Sequence, residues 1–277
     1  MDKFTMEKEL SIRVATGIGD IILISAALNN IKHKYDKIIM RPSIWETTEY
    51  KKYTEEQYLE FRNFVFSLIN LLLHDEKFVI IEHIKSEKQI QQIGFEDLCR
   101  TWLTPYLPRF ANELCLHDGS LNIDSDYIVV TTKIRELGAN FHALKKDFFE
   151  TLNKLSSKYK IVVIGERDNT TDTGCINYYK DLIGSVKNNV IDLTVNTKNI
   201  IVPNLLQITK DCSIMNKAKY VITVGCGGNF VLALTVANNL ISWKNDRYIS
   251  VNKMIQGFDN FKFCNNYKDF KNCISNI

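Results

Sequence analysis

Two widely separated stretches of the chain follow one plan. Val14-Ala15-Thr16-Gly17-Ile18-Gly19-Asp20 leads into one helical pattern, and Val221-Ile222-Thr223-Val224-Gly225-Cys226-Gly227-Gly228-Asn229 leads into another. Each reads as a β-strand, a glycine turn and a helix N-terminus. Glycine lets the backbone bend tightly and lets a ligand approach main-chain N–H groups, while the helix end offers unpaired donors and partial positive charge to an anion. Neither stretch is a dinucleotide fingerprint, because the third glycine position of GxGxxG is Ile22 in the first and Phe230 in the second. No GxxxxGK[ST] phosphate loop occurs. Either turn alone could be a compact connection and nothing more. One in each half of the chain favours a ligand role.

The segments around these turns alternate in period. Residues 10–15 form a strand-like run, 21–35 carry helical spacing, and 37–40 resume as strand. A long helix is expected over 55–73, where Tyr58, Phe61, Val65, Leu68, Ile69 and Leu72 recur at three- and four-residue steps. Another strand follows over 78–81. The pattern then weakens, and Pro105, Pro108 and Asp118-Gly119-Ser120 mark a domain boundary. Beyond it, strands at 127–132, 161–164, 190–193, 220–224 and 240–243 are separated by helical patterns at 144–158, 176–184, 204–218 and 228–237. Apolar strand runs between amphipathic helices describe a parallel sheet covered on both faces. Two such regions flanking a turn-rich middle predict an α/β chain of two Rossmann-like domains facing across a cleft, residues 1–120 and 121–258. Ligands of such sheets bind at the carboxyl ends of the strands.

Charge points away from nucleic acid. The 277 residues carry 35 basic and 32 acidic side chains, a net charge of +3, whereas phosphate tracking needs a concentrated basic face. A small-molecule partner fits better. The seven cysteines are scattered and odd in number, with no zinc-knuckle or CxxC spacing, so reduced thiols in a cytoplasmic protein are expected. Residues 1–10 lack the apolar core of a signal peptide, and the greasiest stretch, 64–73, is too short to span a bilayer.

Gly17-Ile18-Gly19-Asp20-Ile21-Ile22-Leu23, followed by Ala26-Ala27-Leu28, resembles the opening of the heptosyltransferase-like (family 9) GT-B glycosyltransferases: a GxGD turn, an apolar helix start and an Ala-Leu pair. The downstream order agrees. A strand reaches the polar segment 131–135, then come a helix with Phe148-Phe149, the run Ile161-Val162-Val163-Ile164-Gly165-Glu166, Asp192-Leu193-Thr194, and Ala218-Lys219-Tyr220-Val221-Ile222 before the second glycine turn. The likeness covers both ends of the chain and leaves residues 43–120 unmatched.

The resemblance implies a GT-B fold and transfer of a sugar from a nucleotide-sugar donor to a carbohydrate or glycoconjugate acceptor, without metal or other cofactor. It implies that residues 259–277 cross back onto the first domain. It makes Asp20 the general base for the acceptor hydroxyl, against the plainer role of helix N-cap. If Asp20 only caps, Glu46, Glu49 and His83 are the next bases to test. Gly17, Gly19, Gly225, Cys226, Gly227, Gly228 and Asn229 would line the donor. Lys133 and Arg135, after a strand, would offset the diphosphate charge. His142 stands near a basic position of the family, and Glu166 and Arg167 would touch the nucleoside. The chain departs from the family at the second turn, where Gly225-Cys226-Gly227-Gly228-Asn229-Phe230 replaces D-[ST]-G-x-x-H and loses both the acid and the histidine. That leaves open a nucleotide-sugar hydrolase or epimerase, or a non-catalytic nucleotide-sugar or carbohydrate-binding protein, on the same scaffold. Asp124-Ser125-Asp126 has the letters of a metal-binding DxD, but it precedes a strand and reads as a solvated turn.

Overall fold

The computed structural model describes residues 8–15, 17–43, 54–74, 78–80, 109–116, 126–135, 138–167, 175–196, 203–225, 227–243 and 259–277. The chain divides into two compact units, Met1–Pro108 with Ser250–Gln256, and Arg109–Ile249 with Gly257–Ile277.

In the first unit, β1 (Glu9–Ala15), β2 (Lys37–Ser43) and β3 (Phe78–Ile80) form a parallel sheet with β2 at its centre. Between β1 and β2 runs α1 (Ile18–Ile31), continued by a 3₁₀ turn at Lys32–Lys34. Every residue from Ile21 to Leu28 is buried, as expected of a helix that is apolar on all sides. Against α1 packs α2 (Glu55–Leu73), which buries Phe61, Val65, Leu68, Ile69 and Leu72. Its start is a capping box: the Thr54 hydroxyl accepts from Gln57 N–H and the Gln57 side chain accepts from Thr54 N–H. It ends at His74, which takes the left-handed conformation at φ 43°.

The second unit begins with α3 (Ala111–Leu114) and continues through β4 (Tyr127–Thr131), β5 (Lys133–Arg135), α4 (Gly138–Leu155), β6 (Lys160–Ile164), β7 (Cys175–Asn177), α5 (Tyr179–Ser185) and β8 (Val190–Asp192). Then follow α6 (Leu205–Lys217), β9 (Tyr220–Val224), α7 (Gly228–Val236), β10 (Leu240–Trp243), β11 (Phe261–Cys264) and α8 (Tyr267–Ser275). Its main sheet is six-stranded and parallel, in the order β8-β6-β4-β9-β10-β11. Counted from β4 this is 3-2-1-4-5-6, the Rossmann order, and the direction of winding reverses between β4 and β9.

Alternate residues of each strand serve opposite faces. Ile128, Val130, Ile161, Val163, Ile222, Val224, Ile241 and Trp243 join Phe141, Phe148 and Phe149 of α4, Leu182 of α5, and Phe270 and Ile274 of α8 in one apolar core. On the other face Val129, Val162, Val221 and Leu240 are fully buried, α7 packs on β9 and β10, and the Tyr127 hydroxyl donates to Ile214 O of α6.

The observed organisation differs from the sequence reading in three places. Residues 109–116, assigned to the first domain, belong to the second unit: Arg109 donates to Val236 O, Phe110 N–H to Thr235 O, and the Cys115 thiol to Cys212 O. Residues 259–277, kept apart from the second domain in the sequence reading, are part of the second unit. The apolar edge of β10 accepts β11 as a parallel neighbour, and α8, whose Phe270 and Ile274 lie one helical turn apart, covers the result. The helix expected over 176–184 begins only at Tyr179, because Cys175–Asn177 pairs antiparallel with Lys133–Arg135.

Candidate functional site in the second unit

In open α/β sheets the ligand crevice lies outside the carboxyl ends of the strands where winding reverses. Here those ends carry Thr132 and Lys133 after β4, and Gly225 to Gly228 after β9. Next to β4 lies β6, which ends in Gly165 and Glu166.

These ends meet at one point. Gly165 has φ +103°, a conformation open to glycine, and a Cβ there would stand 2.9 Å from Thr132 Oγ1 and 3.2 Å from Asn229 Nδ2. The buried Thr132 hydroxyl donates to Glu166 O at 2.8 Å, and Asn177 Nδ2 donates to the same oxygen at 2.7 Å. Lys133 Nζ sits 3.4 Å from Glu166 Oε2, with both side chains about one quarter exposed. A cation and a carboxylate are thus held partly in water beside the glycine turn.

The turn itself requires glycine twice, with φ +76° at Gly225 and +142° at Gly227. Gly225 N–H donates to Trp243 O, which ties the turn to β10. The first internal bond of α7 runs from Val231 N–H to Gly227 O, so the N–H groups of Gly228, Asn229 and Phe230 precede the hydrogen-bonded ladder. Gly227 has no side-chain cap and the first turn of α7 carries no acid. Such an end binds anions through its N–H groups and dipole.

Beyond Glu166 a polar network clamps β6 to β8. Asp192 accepts from the Tyr179 hydroxyl at 2.7 Å, from Thr194 N–H and hydroxyl, and from Arg167 at 3.2 Å, while Arg167 Nε donates to Thr194 Oγ1 and its guanidinium lies over the Tyr179 ring. Burial opposes ionisation of Asp192, but these hydrogen bonds and the Arg167 charge outweigh it and hold the carboxyl below its ordinary value. In return the Asp192 hydrogen bond pushes the Tyr179 phenol up. Arg167 N–H donates to Val195 O and Val195 N–H to Gly165 O, so the backbone on both sides of Glu166 is fixed.

No protein-family model and no curated protein matches the sequence. Among solved structures the chain is similar to heptosyltransferases. E. coli heptosyltransferase WaaC with ADP-2-deoxy-2-fluoro heptose aligns over 92% of each chain at 11% identity and TM-score 0.47. The E. coli ADP-heptose LPS heptosyltransferase II aligns over 93% of this chain and 90% of its own at 12% identity and TM-score 0.43. The iron-containing dodecameric glycosyltransferase TibC of enterotoxigenic E. coli aligns over 86% of this chain at 11% identity and TM-score 0.43. Our chain spans 58% of the length of TibC.

Of the residues singled out from the sequence, Lys133, Glu166, Gly225, Gly227, Gly228 and Asn229 come together at the β4, β6 and β9 ends. Arg135 lies on β5, its backbone paired with Cys175. His142 is exposed in the second turn of α4. Cys226, Glu46, Glu49 and His83 lie outside the described residues. Asp126 stands at the amino end of β4, the end away from the crevice, ion-paired with Lys219. Thr132, Gly165, Asn177 and Tyr179 were missed. Asn177 and Tyr179 had no detectable signal, since they reach the site only through β7 and α5.

Gly17, Gly19 and Asp20 belong to the first unit. Gly17 is the N-cap of α1, with φ −68°, Gly19 is its second residue and Asp20 its third. Asp20 is therefore not the N-cap. Its Oδ2 folds back to 2.8 Å from where a Gly17 Cβ would stand, so a side chain at residue 17 would have to displace the Asp20 carboxylate.

Proposed function

We propose that this chain transfers a sugar from a nucleotide-sugar donor to a carbohydrate or glycoconjugate acceptor, without metal or other cofactor, in the cytoplasm. The observation that carries the reading is the uncapped, acid-free N-terminus of α7 at the winding reversal, beside Lys133 and Glu166. The donor diphosphate rests on the N–H groups of Gly228 and Asn229, and Lys133 offsets its charge. Glu166, an acceptor-only carboxylate on a fixed backbone, takes hydrogen bonds from the nucleoside. Asp20 serves as base toward the acceptor hydroxyl, and the nucleoside diphosphate leaves toward α7. Among the described residues no helix is long and apolar enough to cross a membrane, in keeping with water-soluble substrates.

A binding protein without catalysis is the second reading, and Phe230 favours it. This residue occupies the histidine position of the family pattern and is buried, and Gly225 stands at the position of the acid, so the turn lacks both the acid and the histidine of that pattern. Turnover of a panel of UDP-, GDP-, ADP-, CMP- and dTDP-linked sugars, with and without glycan acceptors, separates the two. Transfer, and its fall by roughly a hundredfold in Asp20→Asn with donor affinity kept, supports the enzyme. Donor binding with no sugar released or transferred supports the binder, and absence of nucleotide-sugar binding overturns both.

A further inference from the structure

The two thiols at the C-terminal end of the second unit are placed to react with each other. Cys264 Sγ lies 3.7 Å from Cys273 Sγ, within reach of a disulfide bond by a small side-chain rotation. They differ in access, Cys264 being buried at the end of β11 and Cys273 half-buried on α8. Among the described cysteines the other close approach is of a different kind, the Cys115 thiol donating to the carbonyl oxygen of Cys212. We propose that Cys264 and Cys273 form a redox-active pair that closes into a reversible intramolecular disulfide on exposure to a small disulfide such as oxidised glutathione. Cys273, the accessible thiol, attacks the glutathione disulfide as its thiolate, forms a mixed disulfide and expels one glutathione thiolate. Cys264, having lost its proton to solvent, attacks Cys273 Sγ and expels the second glutathione. Two thiols give up two electrons, one disulfide is reduced to two thiols, and the protons pass to the leaving thiolates. Burial and the neighbouring Cys273 push the Cys264 thiol up to about 12, so the closing step quickens at alkaline pH.

The bond would reach the glycine turn through one strand. Cys264 is the register partner of Trp243, whose carbonyl accepts the Gly225 N–H, and the Trp243 ring packs on Tyr267 and Phe270 of α8. Oxidation therefore staples α8 to the strand beside the one that anchors Gly225. Full-length protein is incubated with oxidised glutathione, alkylated under denaturing conditions and digested with trypsin, which cuts between the two cysteines at Lys268 and Lys271. The expected product is peptide 263–268 linked to peptide 272–277, with both thiols protected from alkylation and both restored by dithiothreitol. The thermal midpoint of the oxidised protein should rise, and Cys273→Ser, a change at the partly exposed thiol, should abolish link and rise together. A glutathione adduct that persists on Cys273 while Cys264 remains alkylatable overturns the proposal, as does a bond from either residue to any other cysteine.

Discussion

The two glycine turns look alike in sequence and work differently. At the first, Gly17 has ordinary backbone angles and Asp20 folds its carboxylate over it, so the positive end of α1 is already answered from within its own first turn. At the second, Gly225 and Gly227 are glycine for conformation, no atom of the described residues lies within 4 Å of a Gly227 Cβ, and α7 has neither cap nor acid in its first turn. One helix end carries an acid in its first turn and the other carries neither acid nor side-chain cap. A glycine-rich letter pattern thus identifies a turn. The sign of the charge beside it identifies the anion site.

Five substitutions would break or sharpen this contrast. Gly227→Val forces a β-branched residue into φ +142° at a position where no atom of the described residues lies within 4 Å of its Cβ, so the fold should survive while affinity for a nucleoside diphosphate falls by roughly a hundredfold, read by calorimetric titration. Gly17→Val should leave that affinity unchanged, and equal losses at both turns would end the distinction. Asn229→Asp gives the second turn the acid that the first one has. Binding should weaken by roughly tenfold or more, with the thermal midpoint unchanged or slightly higher, since an acid suits a helix N-terminus when no anion is bound. Lys133→Gln should weaken binding by about tenfold at low salt and by less as salt rises, because a partly exposed charge is screened. The smallest effect is on stability: Asp20→Asn should cost about 0.3–1 kcal/mol in urea unfolding and leave nucleotide affinity alone. A tighter nucleotide complex in Asp20→Asn would instead reveal a latent anion site at the first turn.

Much of the fold was legible because burial imposes period. The helix over 55–73 matches residue for residue, its boundaries written in the Thr54 capping box and the break after Leu73. Strands 220–224 and 240–243 are equally plain, since a strand buried on both faces is mostly apolar, and the polar exceptions, Thr223 and Ser242, hydrogen-bond each other. Short pieces that depend on a partner were not legible. Residues 175–177 have no strand character until β5 lies beside them, and β11 exists because β10 offers an open edge.

The site divides in the same way. From sequence alone came the two turns, the basic residue after β4 and the carboxylate after β6, because each sits at a fixed offset from an apolar run and needs no distant partner. Tertiary structure decided which of them meet. Strand order 3-2-1-4-5-6 places residues 132–133 and 225–229, about ninety positions apart in the chain, at one reversal point, and Gly165 closes the gap because a Cβ would strike Thr132 and Asn229. It also decided that Asp20 answers its own helix while α7 goes unanswered, and that residues 259–277 finish the second unit. Local periodicity reports what each segment prefers to bury. Which segment it is buried against is settled by competition among all the apolar edges and faces of the folded chain, and no window of sequence contains that competition.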